Sequence, residues 1–152
     1  MSTNSISIFV DADACPVKSE IERVASRHKI KTYVVSNGGI RPSQNPLLNL
    51  VVVSKESDAA DIWISENMSE NDIVVTSDIV LAANVIEKGA RVIKPNGEIL
   101  NSKNIGEILA MRDLMYDIRA ADPFRQSGGS AFSKIDRSRF LDGLERLARV
   151  KF

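Results

Sequence analysis

The 152-residue chain has few of the residues that form disulfides or metal centres built from nitrogen and sulfur ligands. It contains one cysteine, Cys15, and one histidine, His28. An internal disulfide is therefore excluded, and so is a structural zinc site, which needs about four Cys or His ligands. A metal ion bound by this chain would have to be held by oxygen atoms.

The sequence also lacks an excess of one charge and a long apolar run. Its 20 Lys and Arg residues balance its 20 Asp and Glu residues, so a preference for nucleic acid or a membrane would have to come from local clusters. Because no apolar signal region or membrane-length segment is visible, we expect a soluble cytoplasmic protein with no membrane partner. The length suits a single domain over residues 1–152 and leaves the oligomeric state open.

Apolar segments of strand type and helix type alternate along most of the chain. Short runs rich in β-branched residues predict strands at 6–10, 31–36, 50–53, 72–75 and 90–93. Helical spacing predicts helices at 16–28, about 57–68 and 79–87, and two closing helices at about 103–120 and 136–150. This alternation predicts an α/β fold with a parallel central sheet. In the last helix, one apolar stripe predicts packing against the core.

The first predicted strand ends abruptly in two carboxylates, Asp11 and Asp13. Alternation along an extended segment points both side chains to the same side. Pro16 fits the first position of the helix that follows, so the two acids lie where open α/β sheets bind their ligands. Capping of that helix explains one acid, whereas two acids indicate a functional site.

Three further aspartates occur in similar positions. Asp58 and Asp61 are three residues apart at the start of a predicted helix and therefore share one helical face. Asp78 follows another apolar strand and repeats the pattern of Asp11. All three also suit the ordinary role of an acid at a helix start, and that alternative stays open.

Carboxylates gathered at one edge of a sheet repel one another and raise each other's pKa values unless a cation is present. Mg²⁺ prefers oxygen ligands, polarises phosphodiesters and supplies a hydroxide for in-line attack. The residues therefore predict hydrolysis of phosphodiester bonds with Asp11 and Asp78 as catalytic acids. The predicted metal ligands are Asp11, Asp13, Asp58, Asp61 and Asp78.

Four other residues are candidates for binding a phosphate-containing substrate. Thr76 and Ser77 offer hydroxyl groups directly before Asp78. Arg41 lies in a turn-rich loop after the second strand, so we expect it on the same edge as Asp11. Arg125 lies in a segment rich in Gly and Ser at 122–132, which suits a loop that covers a substrate. For both arginines a solvated loop position is the alternative.

Four segments resemble the bacterial YaiI/YqxD family, also called UPF0178. They are FVDADACPVK at 9–18, DAADIWI at 58–64, VTSDIVLA at 75–82 and DRSRF at 136–140. The family is similar to PIN-like nuclease domains. The resemblance therefore implies a single PIN-like domain, a three-layer α/β/α sandwich with a mainly parallel sheet, and a Mg²⁺ or Mn²⁺ site of clustered acids.

The resemblance also implies roles for individual acids. By position, Asp11 is the ligand from the first strand, Asp58 or Asp61 the acid from the middle of the chain, and Asp78 the acid after the turn. Asp13 joins them or binds through water. The implied activity is that of a nuclease, and we expect RNA rather than DNA as the substrate.

Two other functions remain open from the sequence. Asp11-Ala12-Asp13 also resembles the first motif of haloacid dehalogenase-type phosphatases, with Asp11 as nucleophile, Asp13 as general acid, and Thr76 or Ser77 as the phosphate-binding hydroxyl. Alternatively, the domain is not catalytic and recognises RNA or a protein. Basic residues that would then follow a phosphate backbone are Arg137, Arg139, Arg146, Arg149 and Lys151.

Overall fold

A computed structural model describes residues 5–13, 15–56, 58–121 and 132–150. The strands of this part are β1 (Ser7–Asp11), β2 (Lys31–Ser36), β3 (Leu48–Val52), β4 (Ile73–Val75), β5 (Arg91–Ile93) and β6 (Ile99–Leu100). Its helices are α1 (Lys18–His28), α2 (Ala59–Asn67), α3 (Ile79–Glu87), α4 (Ile105–Ala121) and α5 (Lys134–Arg149). Strands and helices alternate up to β5, as the hydrophobic pattern predicts, except that β2 and β3 follow each other with only a loop between them.

The six strands form one sheet in the order β3-β2-β1-β4-β5-β6. Neighbouring strands are parallel except for β5 and β6, which are antiparallel. The chain winds outward from β1 to β3, then crosses back to β4 and continues in the other direction. The winding therefore reverses between β1 and β4, and the carboxyl ends of strands at such a reversal are where open α/β sheets bind ligands.

The interior is divided into two clusters by the alternating side chains of the sheet. Ile8 and Val10 of β1 pack on one face with α1 and α5, where Phe140 is fully buried. Phe9 packs on the opposite face with α2 and α3, against residues such as Leu81. Helices thus cover both faces, and the predicted three-layer α/β/α sandwich with a mainly parallel sheet is confirmed.

The prediction for Pro16 is wrong. Helix α1 begins at Lys18, with Val17 as its N-cap, so Pro16 precedes the cap instead of occupying the first helical turn. No side chain caps this end of α1 in the described chain. The two extra residues outside the helix lengthen the connection that follows Asp11.

The middle of α4 carries apolar side chains that are exposed. Met111, Leu114 and Tyr116 are 57%, 52% and 68% exposed, respectively. In α5, by contrast, Phe140 and Leu144 are fully buried, as the stripe in its sequence predicts. Among the described residues, no helix combines the length and the apolar character needed to cross a membrane.

Candidate active site

An acidic pocket of about 200 Å³ lies at the carboxyl ends of β1 and β4, where the winding of the sheet reverses. The structure brings together in it all five aspartates predicted as metal ligands. Glu56 adds a sixth carboxylate to the lining, and Lys55 provides one ammonium group. Within the described chain the pocket therefore concentrates negative charge in a protein whose overall charge is balanced.

Thr76 connects the two strand ends beneath this pocket. It follows β4 and is only 1% exposed. Its Oγ1 donates a hydrogen bond to Asp11 Oδ2 at 3.0 Å and accepts one from the Asp78 backbone N–H at 3.0 Å. The hydroxyl therefore fixes the Asp11 carboxylate relative to the turn that carries Asp78. Thr76 acts in this structure as a positioning residue.

The environment of Asp11 favours its protonated form. Burial raises the pKa of Asp11 above its usual value, the hydrogen bond from Thr76 opposes this effect, and the negative charges of Asp13 and Asp78 add to it. Because the pKa of Asp11 is raised on balance, ionising this carboxyl group in the pocket costs free energy. A nearby cation would remove that cost.

Asp61 is the most strongly affected carboxyl group of the pocket. Burial, the charge of Asp78, a hydrogen bond with the Asp78 side chain, and the charges of Asp11 and Asp58 raise the pKa of Asp61 to about 7. Two carboxyl groups hydrogen-bond to each other only when they share a proton. Asp61 therefore keeps its proton to a higher pH than an ordinary aspartate does, and it donates this proton to the Asp78 carboxylate.

Two of the aspartates occupy helix N-cap positions, but only one caps its helix. Asp78 Oδ1 accepts hydrogen bonds from the backbone N–H groups of Val80 at 2.9 Å and Leu81 at 3.1 Å. The ordinary helix-start role is therefore present for Asp78, in addition to its place in the pocket. Asp58 begins α2 with a left-handed backbone (φ 71°), and in the described chain its side chain makes no capping hydrogen bond.

Asp13 is exposed and is held from the neighbouring strand. The Oγ of Ser36, the last residue of β2, has two acceptors for its single proton, Asp13 Oδ1 at 3.3 Å and the Gly38 carbonyl at 3.1 Å, and it accepts from the Gly38 backbone N–H at 3.1 Å. Ser36 therefore contacts Asp13 but holds it less exclusively than Thr76 holds Asp11, since the Thr76 hydroxyl has only Asp11 Oδ2 as its acceptor among the described residues. The sequence prediction did not include Ser36, although a hydroxyl at a strand end was the same signal that drew attention to Thr76.

The sequence analysis also missed residues that line the pocket from two loops. Asn37 follows β2, and Lys55 and Glu56 precede α2. No short motif marks these residues, because they reach the pocket through the path of their loops. Lys55 is the one cationic residue among the described residues that line the pocket, so it is the candidate there for contact with a phosphate group.

The donor chemistry of the pocket fits a hard divalent cation, since its acidic groups are all carboxylates. As the side chains lie, however, no group of three or more Asp, Glu, His or Cys residues in the described part of the chain is arranged to hold a metal ion. Binding of a cation would require Asp61 to release its proton and its side chain to turn.

The structure places the predicted substrate-binding residues in different environments. The Thr76 hydroxyl is buried under Asp11 and Asp78, whereas Ser77 is exposed in the turn before α3. Arg41 lines a separate cavity and is not brought to the acids. Arg125 lies outside the described residues.

Two of the basic residues of α5 form hydrogen bonds within the protein. Arg137 donates to Glu20 Oε1 at 3.0 Å and to the Pro16 carbonyl at 2.9 Å. Arg149 donates to Glu145 Oε2 at 3.1 Å. Lys151 lies outside the described residues. The contact of Arg137 with Glu20 joins α5 to α1, whereas the contact of Arg149 with Glu145 lies within α5. Both leave fewer cations of α5 for a phosphate backbone.

Replacing Thr76 with Val is expected to lower the free energy of unfolding by about 1–2 kcal/mol, because Asp11 Oδ2 and the Asp78 N–H lose a buried partner. The pKa of Asp11 should rise further, since the lost hydrogen bond is the one that lowers it. Urea unfolding and a carboxyl NMR titration measure the two effects. Thr32→Val is the matched control, because the Thr32 hydroxyl is also buried but donates to Ile30 O, away from the pocket. An unchanged or lower Asp11 pKa in Thr76→Val would contradict this account.

Comparison with known proteins identifies the family. A model described as "Uncharacterized BCR, YaiI/YqxD family" matches residues 9–149. A UPF0178 protein of Roseobacter denitrificans is 64% identical over 142 residues, covering 93% of this chain and 94% of the relative. UPF0178 proteins of Cereibacter sphaeroides and Mesorhizobium japonicum are 59% and 50% identical, each over 93% of this chain and over 88% and 91% of the relatives. No solved structure matches significantly. The chain therefore belongs to the YaiI/YqxD family.

Proposed function

We propose that this protein is a nuclease that depends on Mg²⁺ or Mn²⁺ and hydrolyses phosphodiester bonds, with RNA rather than DNA as its substrate. The observation that carries the proposal is the meeting of five aspartates in one pocket at the reversal of the sheet. Burial, together with the repulsion among these carboxylates, raises the pKa values of Asp11 and Asp61. A divalent cation is the ligand that most directly relieves such repulsion.

In this proposal Asp11, Asp61 and Asp78 hold the ion, and Asp13 and Asp58 complete its surroundings directly or through water. The bound ion would supply Lewis-acid activation of the phosphodiester and of a water molecule. The remaining work belongs to the chain itself. Thr76 orients Asp11, Ser36 lies within hydrogen-bond distance of Asp13, and the capping bonds of Asp78 Oδ1 fix that carboxylate at the start of α3. Such fixed carboxylates lower the cost of reorganisation during the reaction.

A groove next to the pocket supports a polymeric substrate. This groove, about 420 Å³ in volume, lies between α2 and α3 and shares Asp58 and Asp61 with the acidic pocket. At its other end, Lys88 Nζ donates to the Ser65 carbonyl at 3.0 Å and to Ser65 Oγ at 2.7 Å. An ammonium group held in this way suits contact with a phosphate that lies beyond the one being cleaved.

The phosphatase alternative accounts for less of the pocket. It gives roles to Asp11 and Asp13 but leaves Asp58 and Asp61 without one, although both line the same pocket. The Thr76 hydroxyl, which would bind phosphate in that alternative, is buried and already bonded to Asp11. We therefore favour hydrolysis of a diester over hydrolysis of a monoester.

A direct test compares an RNA and a DNA oligonucleotide of the same sequence, each incubated with the protein in Mg²⁺, in Mn²⁺ and in EDTA. Bis-p-nitrophenyl phosphate and p-nitrophenyl phosphate serve as a matched diester and monoester. We expect cleavage of RNA and of the diester in the presence of metal and none in EDTA. Hydrolysis of the monoester alone would favour the phosphatase, and no turnover of any substrate would reject both enzyme functions.

A further inference from the structure

A second cavity, about 260 Å³ in volume, lies between α1, the outer strands of the sheet and the loop after β2. Side chains of three strands and of α1 give it an apolar floor. Its apolar lining consists of Val10, Ile21, Val34, Ile40, Leu48 and Leu50. The cavity shares no lining residue with the acidic pocket. An apolar concavity with a few polar groups is the usual form of a site for a small molecule.

The rim of this cavity carries more positive than negative charge. Lys18 and Arg41 are exposed there, and within the described chain neither forms an ion pair or a side-chain hydrogen bond with another residue. Glu22 is the single acid of the lining, and its Oε2 accepts a hydrogen bond from Asn45 Nδ2 at 3.2 Å. The rim thus presents two cations from two elements, α1 and the loop, across an apolar floor.

We propose that this cavity binds a small amphipathic anion, a molecule with a compact apolar body and one carboxylate-type group. The apolar body would rest on the side chains of β1, β2 and β3, where its burial removes apolar surface from water. The anionic group would lie between Lys18 and Arg41 and complement the charge of the rim. The volume is near the lower end of the range for small-molecule sites, which favours a ligand of metabolite size.

The probe for this proposal is 2-naphthoate, a rigid apolar ring system with one carboxylate. Its neutral isostere 2-naphthamide differs mainly in charge and is the matched comparison. Binding of each to the full chain is followed through backbone amide signals in ¹H–¹⁵N NMR spectra. We expect shifts concentrated at residues 18–22, 40–43 and 48–50, and about tenfold weaker binding of the amide because two exposed cations each contribute modestly.

Variants of the two rim cations test whether they cause the preference for 2-naphthoate over 2-naphthamide. Lys18→Gln and Arg41→Gln are each expected to weaken 2-naphthoate binding about threefold to fivefold and to leave 2-naphthamide unchanged. Both side chains are exposed, so the variants should fold normally, which circular dichroism checks. Arg23→Gln is the control, since it removes one positive charge from the exposed surface of α1 outside the cavity lining. It should bind both probes as the native chain does.

Three results would overturn the proposal. The first is equal affinity for naphthoate and naphthamide, because the cations would then have no role. The second is a pattern of shifts at the exposed apolar residues of α4, Met111, Leu114 and Tyr116, which would show binding to that surface instead. The third is the absence of saturable binding up to millimolar probe. None of these results bears on the acidic pocket.

Discussion

Asp11→Asn should reduce metal-dependent cleavage of RNA by at least about 100-fold, because an amide is a neutral and much weaker ligand for a hard cation than a carboxylate. The fold should survive, since the amide oxygen of Asn still accepts the hydrogen bond from Thr76 Oγ1. Initial rates on a labelled RNA at saturating Mn²⁺ measure the change. The variant also reveals any contaminating nuclease, because a contaminant would be purified equally with both proteins.

Asp142→Asn is the matched control for this substitution. Asp142 lies on α5, is exposed, and does not line the acidic pocket. Its replacement removes the same charge from the protein and should leave the rate unchanged. Full activity of Asp11→Asn would mean that Asp11 does not take part in the reaction, and the proposed site would have to be abandoned.

The second large effect concerns the stability of the metal-free protein as a function of pH. Burial and the neighbouring aspartates raise the pKa of Asp61 to about 7 in the folded protein, against an ordinary value of 3.8 in an unfolded chain. Between these values the folded protein keeps a proton that the unfolded chain has lost, so the free energy of unfolding falls as pH rises towards and through 7. Asp61→Asn lacks this titration. It should be more stable than the native chain at pH 8 by about 1 kcal/mol, after allowance for solvent screening, and equal to it near pH 4.

Asp136→Asn provides a comparison at an equivalent helix position. Asp61 and Asp136 each lie three residues after the N-cap of their helices, but Asp136 accepts a hydrogen bond from the Ser133 N–H at 3.0 Å in a capping box. Asn at this position can still accept that bond but lacks the negative charge that stabilises a helix N-terminus, so the replacement should destabilise the protein by about 0.5 kcal/mol. Urea unfolding in EDTA from pH 4 to pH 8 measures both variants. Destabilisation by both at pH 8 would show that Asp61 is an ordinary helix-start acid.

Local sequence patterns correctly predicted the bounds of elements that begin and end at local signals, such as a capping residue or a glycine. Helix α3 has the predicted bounds 79–87 because Asp78 caps its start and Gly89 follows its end. Strand β2 likewise matches the predicted range 31–36. Strand β3 starts at Leu48, two residues before the predicted start, because its register with β2 pairs Leu48 with Thr32. Pairing between strands is a tertiary effect that no local pattern contains.

The candidate site shows the same contrast between residues that local sequence patterns predict and residues whose position depends on tertiary packing. The acids at strand ends were visible in the sequence because a carboxylate after a buried apolar run is costly unless it is used. Residues that reach the pocket through their loops, such as Asn37 and Lys55, were not visible, since the path of a loop depends on the packing around it. We expected Arg41 beside Asp11 because it follows β2. The loop after β2 instead places Arg41 in the lining of the second cavity. The order of the elements in the sequence thus predicted which edge of the sheet carries the site, but not which loop residues lie close to the acids.

The measurement that tests the central claim most directly is thermal unfolding of the native chain, Asp11→Asn and Asp78→Asn at increasing Mg²⁺ and Mn²⁺. A ligand that binds the folded state stabilises it by RT ln(1 + [L]/Kd), about 2.7 kcal/mol at a hundredfold excess over Kd. We predict that the native Tm rises with metal and that both variants lose most of this response. Asn caps a helix as well as Asp does, so loss of the response in Asp78→Asn would not result from a lost cap. A native Tm that ignores both ions, together with lower stability of both variants, would contradict the metal site.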